Sequence, residues 1–240
     1  MQRALSSRAA RDLPLITCEH AGNRIPRAHA ALFRGAQRAL ASHRGWDPGA
    51  LQLARGLARA LDCPLLAVRW SRLLVEANRS LGHPRLWSRF TAPLPEAERE
   101  RILARCWRPH RQAVEAAVAA GAARGRRVVH VAVHSFTPRL GGERRNADVG
   151  LLYDSRRTRE AQLCRRWAAI LRRSDPELRV RFNYPYRGSA DALATGLRRR
   201  YAQSRYLGVE IEINQALVRA PGWRRLQRRI ADSLRELLAD

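Results

Sequence analysis

Short apolar runs of strand length alternate with segments of helical periodicity from residue 13 to the end of the chain, and this alternation constrains the fold more than any other feature. Residues 13–18 (LPLITC), 63–70 (CPLLAVRW), 72–77 (RLLVEA), 127–138 (RVVHVAVHSFTP), 149–154 (VGLLYD), 178–183 (LRVRFN) and 208–215 (GVEIEINQ) read as strands. Between them, helices are predicted over about 48–61, opened by Asp47 as cap and Pro48 as first helical residue, and over 158–174 and 193–204. A long helical region from 93 to 125 is broken near Pro109 and closed by Gly121 or Gly125, and an amphipathic helix over about 222–239 ends the chain. Such a series predicts an α/β protein with three layers, a mixed, mostly parallel sheet carrying helices on both faces. No repeat or linker divides it, so one domain over residues 1–240 is expected.

In sheets of this kind ligands bind beyond the carboxyl ends of the strands, so polar residues at those ends carry most weight. His20 follows the first strand and His134 closes the strand VVHVAVH, each before a turn-rich loop. In GVEIEINQ the apolar Val209, Ile211 and Ile213 alternate with Glu210, Glu212 and Asn214, which puts two carboxylates on one face. Taken alone, that pattern fits an edge strand with one face in water, or carboxylates neutralised by arginine. Together with His20, His134 and Asp47 in GWD it fits a metal site, because zinc hydrolases use three nitrogen or carboxylate ligands and keep a fourth position for water. A nearby glutamate then serves as general base. His130, four residues before His134 in an apolar run, reads as a core histidine; His43 and His110 are spare ligands, His110 the better one. Asn78 and Arg79 follow a strand in EANRS, where an arginine can hold a carboxylate through two parallel hydrogen bonds.

The formal charge of +25 invites a nucleic-acid reading. All 46 basic residues are arginine, however, and they are spread along the chain, as a GC-biased coding sequence produces without selection for binding. No sequence-specific nucleic-acid partner is expected. No stretch has the roughly 18–20 apolar residues of a membrane helix, and the N-terminal 20 residues lack the pattern of a secretory leader. Four scattered cysteines form no CxxC pair, so a cytoplasmic protein with reduced thiols is expected.

Seven motifs in order, LITCEHAGNRIP, HRGWDPGA, SRLLVEANRS, VHSFTP, VGLLYD, NYPYRG and GVEIEINQ, together resemble the N-formylglutamate amidohydrolase family over about residues 13–217. That family is similar in fold to the zinc carboxypeptidases and the aspartoacylase group. The resemblance implies one zinc ion per chain and hydrolysis of the amide C–N bond of a small N-acyl amino acid such as N-formyl-L-glutamate, giving formate and glutamate. By motif, His20 and His134 resemble the histidine ligands, Glu212 the catalytic glutamate with Glu210 beside it, and Asn78 and Arg79 the pair that grips a substrate carboxylate. Arg72 or Arg79 would hold that carboxylate or stabilise the oxyanion, and Tyr184, Tyr186 and Arg187 of NYPYRG would shape substrate choice. Carboxypeptidases carry a glutamate three residues after the first histidine; here that position is Asn23, and Asp47 stands in as the acidic ligand. Two other readings are a carboxypeptidase-type metallopeptidase or deacylase acting on peptides or cell-wall fragments, and a non-enzymatic basic protein that binds nucleic acid.

Overall fold

The computed structural model describes residues 12–239; the leader expectation at the N-terminus rests largely on residues outside that range. In chain order the elements are β1 (Leu13–Cys18), α1 (Gln37–Ala41), α2 (Ala50–Leu61), β2 (Leu65–Ala67), α3 (Glu96–Ile102), α4 (Arg108–Ala123) and β3 (Val128–Phe136). There follow the hairpin β4 (Arg139–Leu140) and β5 (Glu143–Arg144), then β6 (Val149–Leu152), α5 (Thr158–Ser174), β7 (Val180–Phe182), α6 (Leu193–Arg200), β8 (Tyr206–Asn214), α7 (Gln215–Val218) and α8 (Trp223–Ala239).

Six strands form one sheet in the order β2-β1-β3-β8-β6-β7. β2, β1, β3 and β8 run parallel, and β6 turns against β8 while pairing parallel with β7. This is the mixed, mostly parallel sheet expected from the sequence. Strand alternation divides the side chains between its faces. Ile16, Val129, Val131, Val133, Val209, Ile211 and Ile213 join the core under α2, α5 and α8. Leu15, Val128 and Tyr206 point the other way and pack with Val114 and Val118 of α4 and Leu193 and Leu197 of α6. β8 is therefore no edge strand: it lies between β3 and β6, and all nine of its residues are buried.

Two expectations need correction. Residues 72–77 form no strand. Ser71 starts a turn in which Leu74 N–H donates to the Ser71 carbonyl, and Leu74 and Val75 enter a satellite core with Leu86, Ile102, Leu103 and Trp107. Two adjacent apolar side chains can both be buried only because the chain curls instead of pleating. Asp47 is also not the cap of α2. The cap position belongs to Gly49, at φ +82, and a Cβ there would meet the Val218 side chain at 2.6 Å. The Asp47 carboxylate is drawn elsewhere.

Pro109 breaks the long helical region as predicted. Without an N–H it cannot bond the Arg105 carbonyl, and the ladder widens into a π turn, Leu103–Trp107, between α3 and α4. Gly125, at φ +71, follows the end of α4. Among the described residues no helix is long and apolar enough to cross a membrane, and all four cysteines are free.

His130 lies fully inside the α4/α6 face, its two ring nitrogens 2.8 Å from Thr17 Oγ1 and 2.7 Å from Tyr206 Oη. A neutral ring, one nitrogen donating and one accepting, suits two hydroxyls that can each do either. Burial lowers its proton affinity, to a pKa of about 4. The unfolded chain takes up this proton near pH 6.5 and the fold does not. His130 thus stabilises the fold fully above pH 6.5, and the contribution fades as the pH falls to 4, a loss of about 3 kcal/mol. In urea denaturation at pH 7 and pH 4, His130→Gln should lose less stability on acidification than the parent; equal losses would contradict this account.

Candidate active site

The parallel strands β1, β3 and β8 present their carboxyl ends at one edge, on the face that also carries α4 and α6. His20 follows β1 by two residues, His134 sits in β3 directly opposite Glu212 of β8, and Glu210 lies opposite Ala132. Asp47 arrives from the loop before α2, its backbone N–H donating to the His20 carbonyl at 3.0 Å. Three donor atoms converge there: His20 Nδ1 and His134 Nδ1 are 3.1 Å apart and lie 3.1 and 3.0 Å from Asp47 Oδ2. All three residues are buried.

The opposite nitrogen of each ring meets a carboxylate. His20 Nε2 bonds Glu76 Oε1, and His134 Nε2 lies 3.3 Å from Glu19 Oε2, whose other oxygen is 3.2 Å from His110 Nε2. Arg72 ties the group together, donating through Nε to Glu76 at 2.8 Å and through a terminal nitrogen to Asp47 Oδ1 at 3.2 Å. Burial would raise the Asp47 and Glu76 carboxyls, yet the histidines and Arg72 hold both far below the usual carboxylate range. Burial likewise opposes charge on the histidines, but Glu76 and Asp47 draw His20 upward, and Asp47 and Glu19 draw His134 upward.

Two imidazolium rings with Nδ1 atoms 3.1 Å apart would repel. A divalent cation would satisfy all three donors instead. Zinc ligands at about 2.0–2.1 Å in a tetrahedron stand about 3.3 Å apart, close to the spacing here. A carboxylate on the far nitrogen of each ligating histidine is also the usual outer partner of a metal-bound imidazole. These residues can therefore hold a metal ion.

A cleft of about 370 Å³ opens over the cluster, lined by His20, Asp47, Arg72, Asn78, Arg79, His134, Tyr186, Arg187, Glu210 and Glu212; Tyr184 does not line it, its hydroxyl accepting instead from Asn146 N–H at 2.9 Å. Asn78 is buried, its Nδ2 3.5 Å from His134 Nε2 and its Oδ1 accepting from Leu193 N–H at 2.9 Å. Arg79, Arg85 and Arg187 also line the cleft, with no carboxylate in ion-pair reach among the described residues. Glu212 is buried, and among the described residues its Oε2 has no hydrogen-bond partner. Burial pushes its carboxyl up to about 8, with His134 opposing and Asp47 and Glu210 adding to the rise.

The NYPYRG loop reaches the rim because two glycines let it lie close to β6. A Cβ on Gly150 would stand 2.0 Å from the Tyr184 carbonyl oxygen, and one on Gly188 would stand 2.1 Å from Tyr153 N. Tyr186 closes the rim with its hydroxyl 3.1 Å from Arg145. Of the spare histidines, His43 is exposed and does not line the cleft, and neither does His110, whose Nε2 meets Glu19. Glu19 and Glu76 were missed in the sequence. Glu19 directly precedes His20, and Glu76 lay in a segment read as strand, where its carboxylate has no reason to face His20.

The sequence matches the family model for N-formylglutamate amidohydrolase over residues 14–219. The chain belongs to the N-formylglutamate amidohydrolase family. Its members hydrolyse amide bonds, so this chain is an amidohydrolase and not a non-enzymatic basic protein. Among solved structures it is similar to the gene product Atu2144 from Agrobacterium tumefaciens, at 33% identity and TM-score 0.78 over 96% of this chain and 90% of that one. It also shares the fold of N-formylglutamate amidohydrolase from Ralstonia eutropha JMP134, at 23% identity and TM-score 0.69, over 95% of this chain and 94% of that one. No protein of curated function matches.

If the three donors take up a metal, a divalent cation at about a hundred times its Kd should stabilise the fold by about 2.7 kcal/mol. Thermal melts with and without zinc should show the rise, His134→Ala should abolish it, and Glu76→Gln should weaken the affinity about 10- to 100-fold. Identical melts with and without the metal would contradict the assignment.

Proposed function

We propose that the chain is a zinc-dependent amidohydrolase that cleaves the amide C–N bond of a small N-acyl amino acid resembling N-formyl-L-glutamate. We place it in the cytoplasm on the strength of its four free cysteines, and take residues 1–240 as one amidohydrolase domain. The observation that carries the reading is a buried, unpartnered glutamate beside three converging metal donors in an arginine-lined cleft. When bound, zinc would lower the pKa of a coordinated water to about 7 and polarise the acyl carbonyl.

The chain's own residues supply the rest. Glu212 lies opposite His134 with a free oxygen, suited to take the proton from the attacking water and return it to the leaving nitrogen. A raised carboxyl is a stronger base than an exposed glutamate, which favours taking the proton from water, and it holds that proton until the leaving nitrogen accepts it. Glu210, on the same face and 3.9 Å from His134 Nε2, adds a second negative charge that keeps the Glu212 carboxyl high.

Arg72 is committed to Glu76 and Asp47. The substrate α-carboxylate therefore falls to Arg79, with Asn78 beside it, and an acidic side chain to Arg187 at the Tyr186 rim. Arg72 remains close enough to the donors to stabilise negative charge developing on the acyl oxygen. A cleft of this size admits a small molecule rather than a folded partner.

Glu212→Gln should retain one zinc per chain and lose about 10²- to 10⁴-fold in kcat, measured by formate release alongside metal content. Turnover within a few-fold of the parent, with metal bound, would remove Glu212 from the mechanism.

A further inference from the structure

We propose that Trp107 and Arg111 are positioning residues that aim Arg79 into the cleft by gripping its backbone carbonyl from α4. The inference rests on the reading that Arg79 holds the substrate carboxylate. Two donors converge on that one oxygen, Arg111 through a terminal nitrogen at 2.7 Å and Trp107 through Nε1 at 3.1 Å. A carbonyl has two lone pairs, so both bonds can be made at once. The guanidinium lies over the Trp107 ring with its central carbon 4.4 Å from the centroid, which fixes its plane.

Arg111 otherwise lacks an explanation. It is buried, no carboxylate lies in ion-pair reach among the described residues, and its Nε has no partner. Burying a guanidinium in this way is costly, and gripping the Arg79 carbonyl gives it a purpose. Trp107 stands four residues, one helical turn, before Arg111, so both side chains lie on one face of the helix; the Trp107 ring also packs in the satellite core with Leu103 and Cys106.

The rest of the loop is tied down on both sides. Asn78 N–H donates to Glu76 Oε1 at 3.1 Å, and Ser80 donates through N–H and hydroxyl to Asp191 at 3.0 and 2.7 Å. The Arg79 guanidinium stands at the cleft wall and makes no hydrogen bond or ion pair among the described residues. A backbone fixed beforehand spares the substrate the entropy of ordering that side chain.

The test compares Arg111→Leu and Trp107→Phe with the parent, all zinc-loaded, by kinetics on N-formyl-L-glutamate and by amide hydrogen exchange of residues 78–80 without substrate. Trp107→Phe keeps an aromatic ring under the Arg111 guanidinium and loses the indole N–H donor, which guards against failure of Arg111→Leu to fold. The expected result is faster exchange confined to that loop, a KM raised about tenfold, kcat within a factor of about two, and unchanged zinc content. A purely structural role would instead lower Tm and kcat together. Unchanged exchange in both variants overturns the proposal, as does accelerated exchange with unaltered KM. Should the parent not turn over N-formyl-L-glutamate, the substrate reading fails, and exchange still decides whether the two side chains hold the loop.

Discussion

The parallel pairing of β1, β3 and β8 is the constraint on which the rest of the structure depends. Because the three strands run in one direction, their carboxyl ends meet at one edge, and His20, His134 and Glu212 arrive there without any long excursion of the chain. The two-residue period then decides what faces what. Val129 to Val133 and Val209 to Ile213 bury their branched side chains under α2, α5 and α8. The intervening residues, His134, Glu210 and Glu212, are left to the opposite face, where the α4/α6 layer gives way to the cleft. One set of residues makes the core, and the other is free for chemistry.

Charge balance explains why this edge favours a cation. Asp47, Glu19, Glu76, Glu210 and Glu212 are five buried acidic residues, set against His20, His134, His110 and Arg72. Buried like charges are tolerated only when something positive stands among them. Arg72 bridges Asp47 and Glu76 but does not reach the point where the three donors meet. Each outer carboxylate also fixes a ring orientation, so the two Nδ1 atoms turn inward together. The site is organised from the outside in, with arginine holding carboxylate and carboxylate holding imidazole.

Much of this was legible in the sequence, for a physical reason: strands and helices with one buried face must repeat their apolar residues at the matching period. The strands that carry His20, His134 and Glu212 were found that way, and so was the break at Pro109. Residues 72–77 misled because an apolar run of strand length fits equally well a turn that buries two neighbouring side chains in a satellite core. Asp47 reads as a helix cap because aspartate before proline usually is one, and nothing local reveals that two histidines and Arg72 claim its carboxylate. Glu19, Glu76 and Arg111 act through contacts with residues tens of positions away, so no spacing in the chain announces them. The family resemblance was legible in the ordered motifs, and the family model covers nearly the same span.

The most direct test of the account is formate release from N-formyl-L-glutamate by zinc-loaded protein, beside a sample stripped with chelator and a third to which zinc is returned. Turnover that vanishes on stripping and recovers with zinc is the predicted result. Turnover that persists unchanged in the stripped protein, with metal content confirmed at zero, would contradict the metal-centred reading of the His20, Asp47 and His134 cluster.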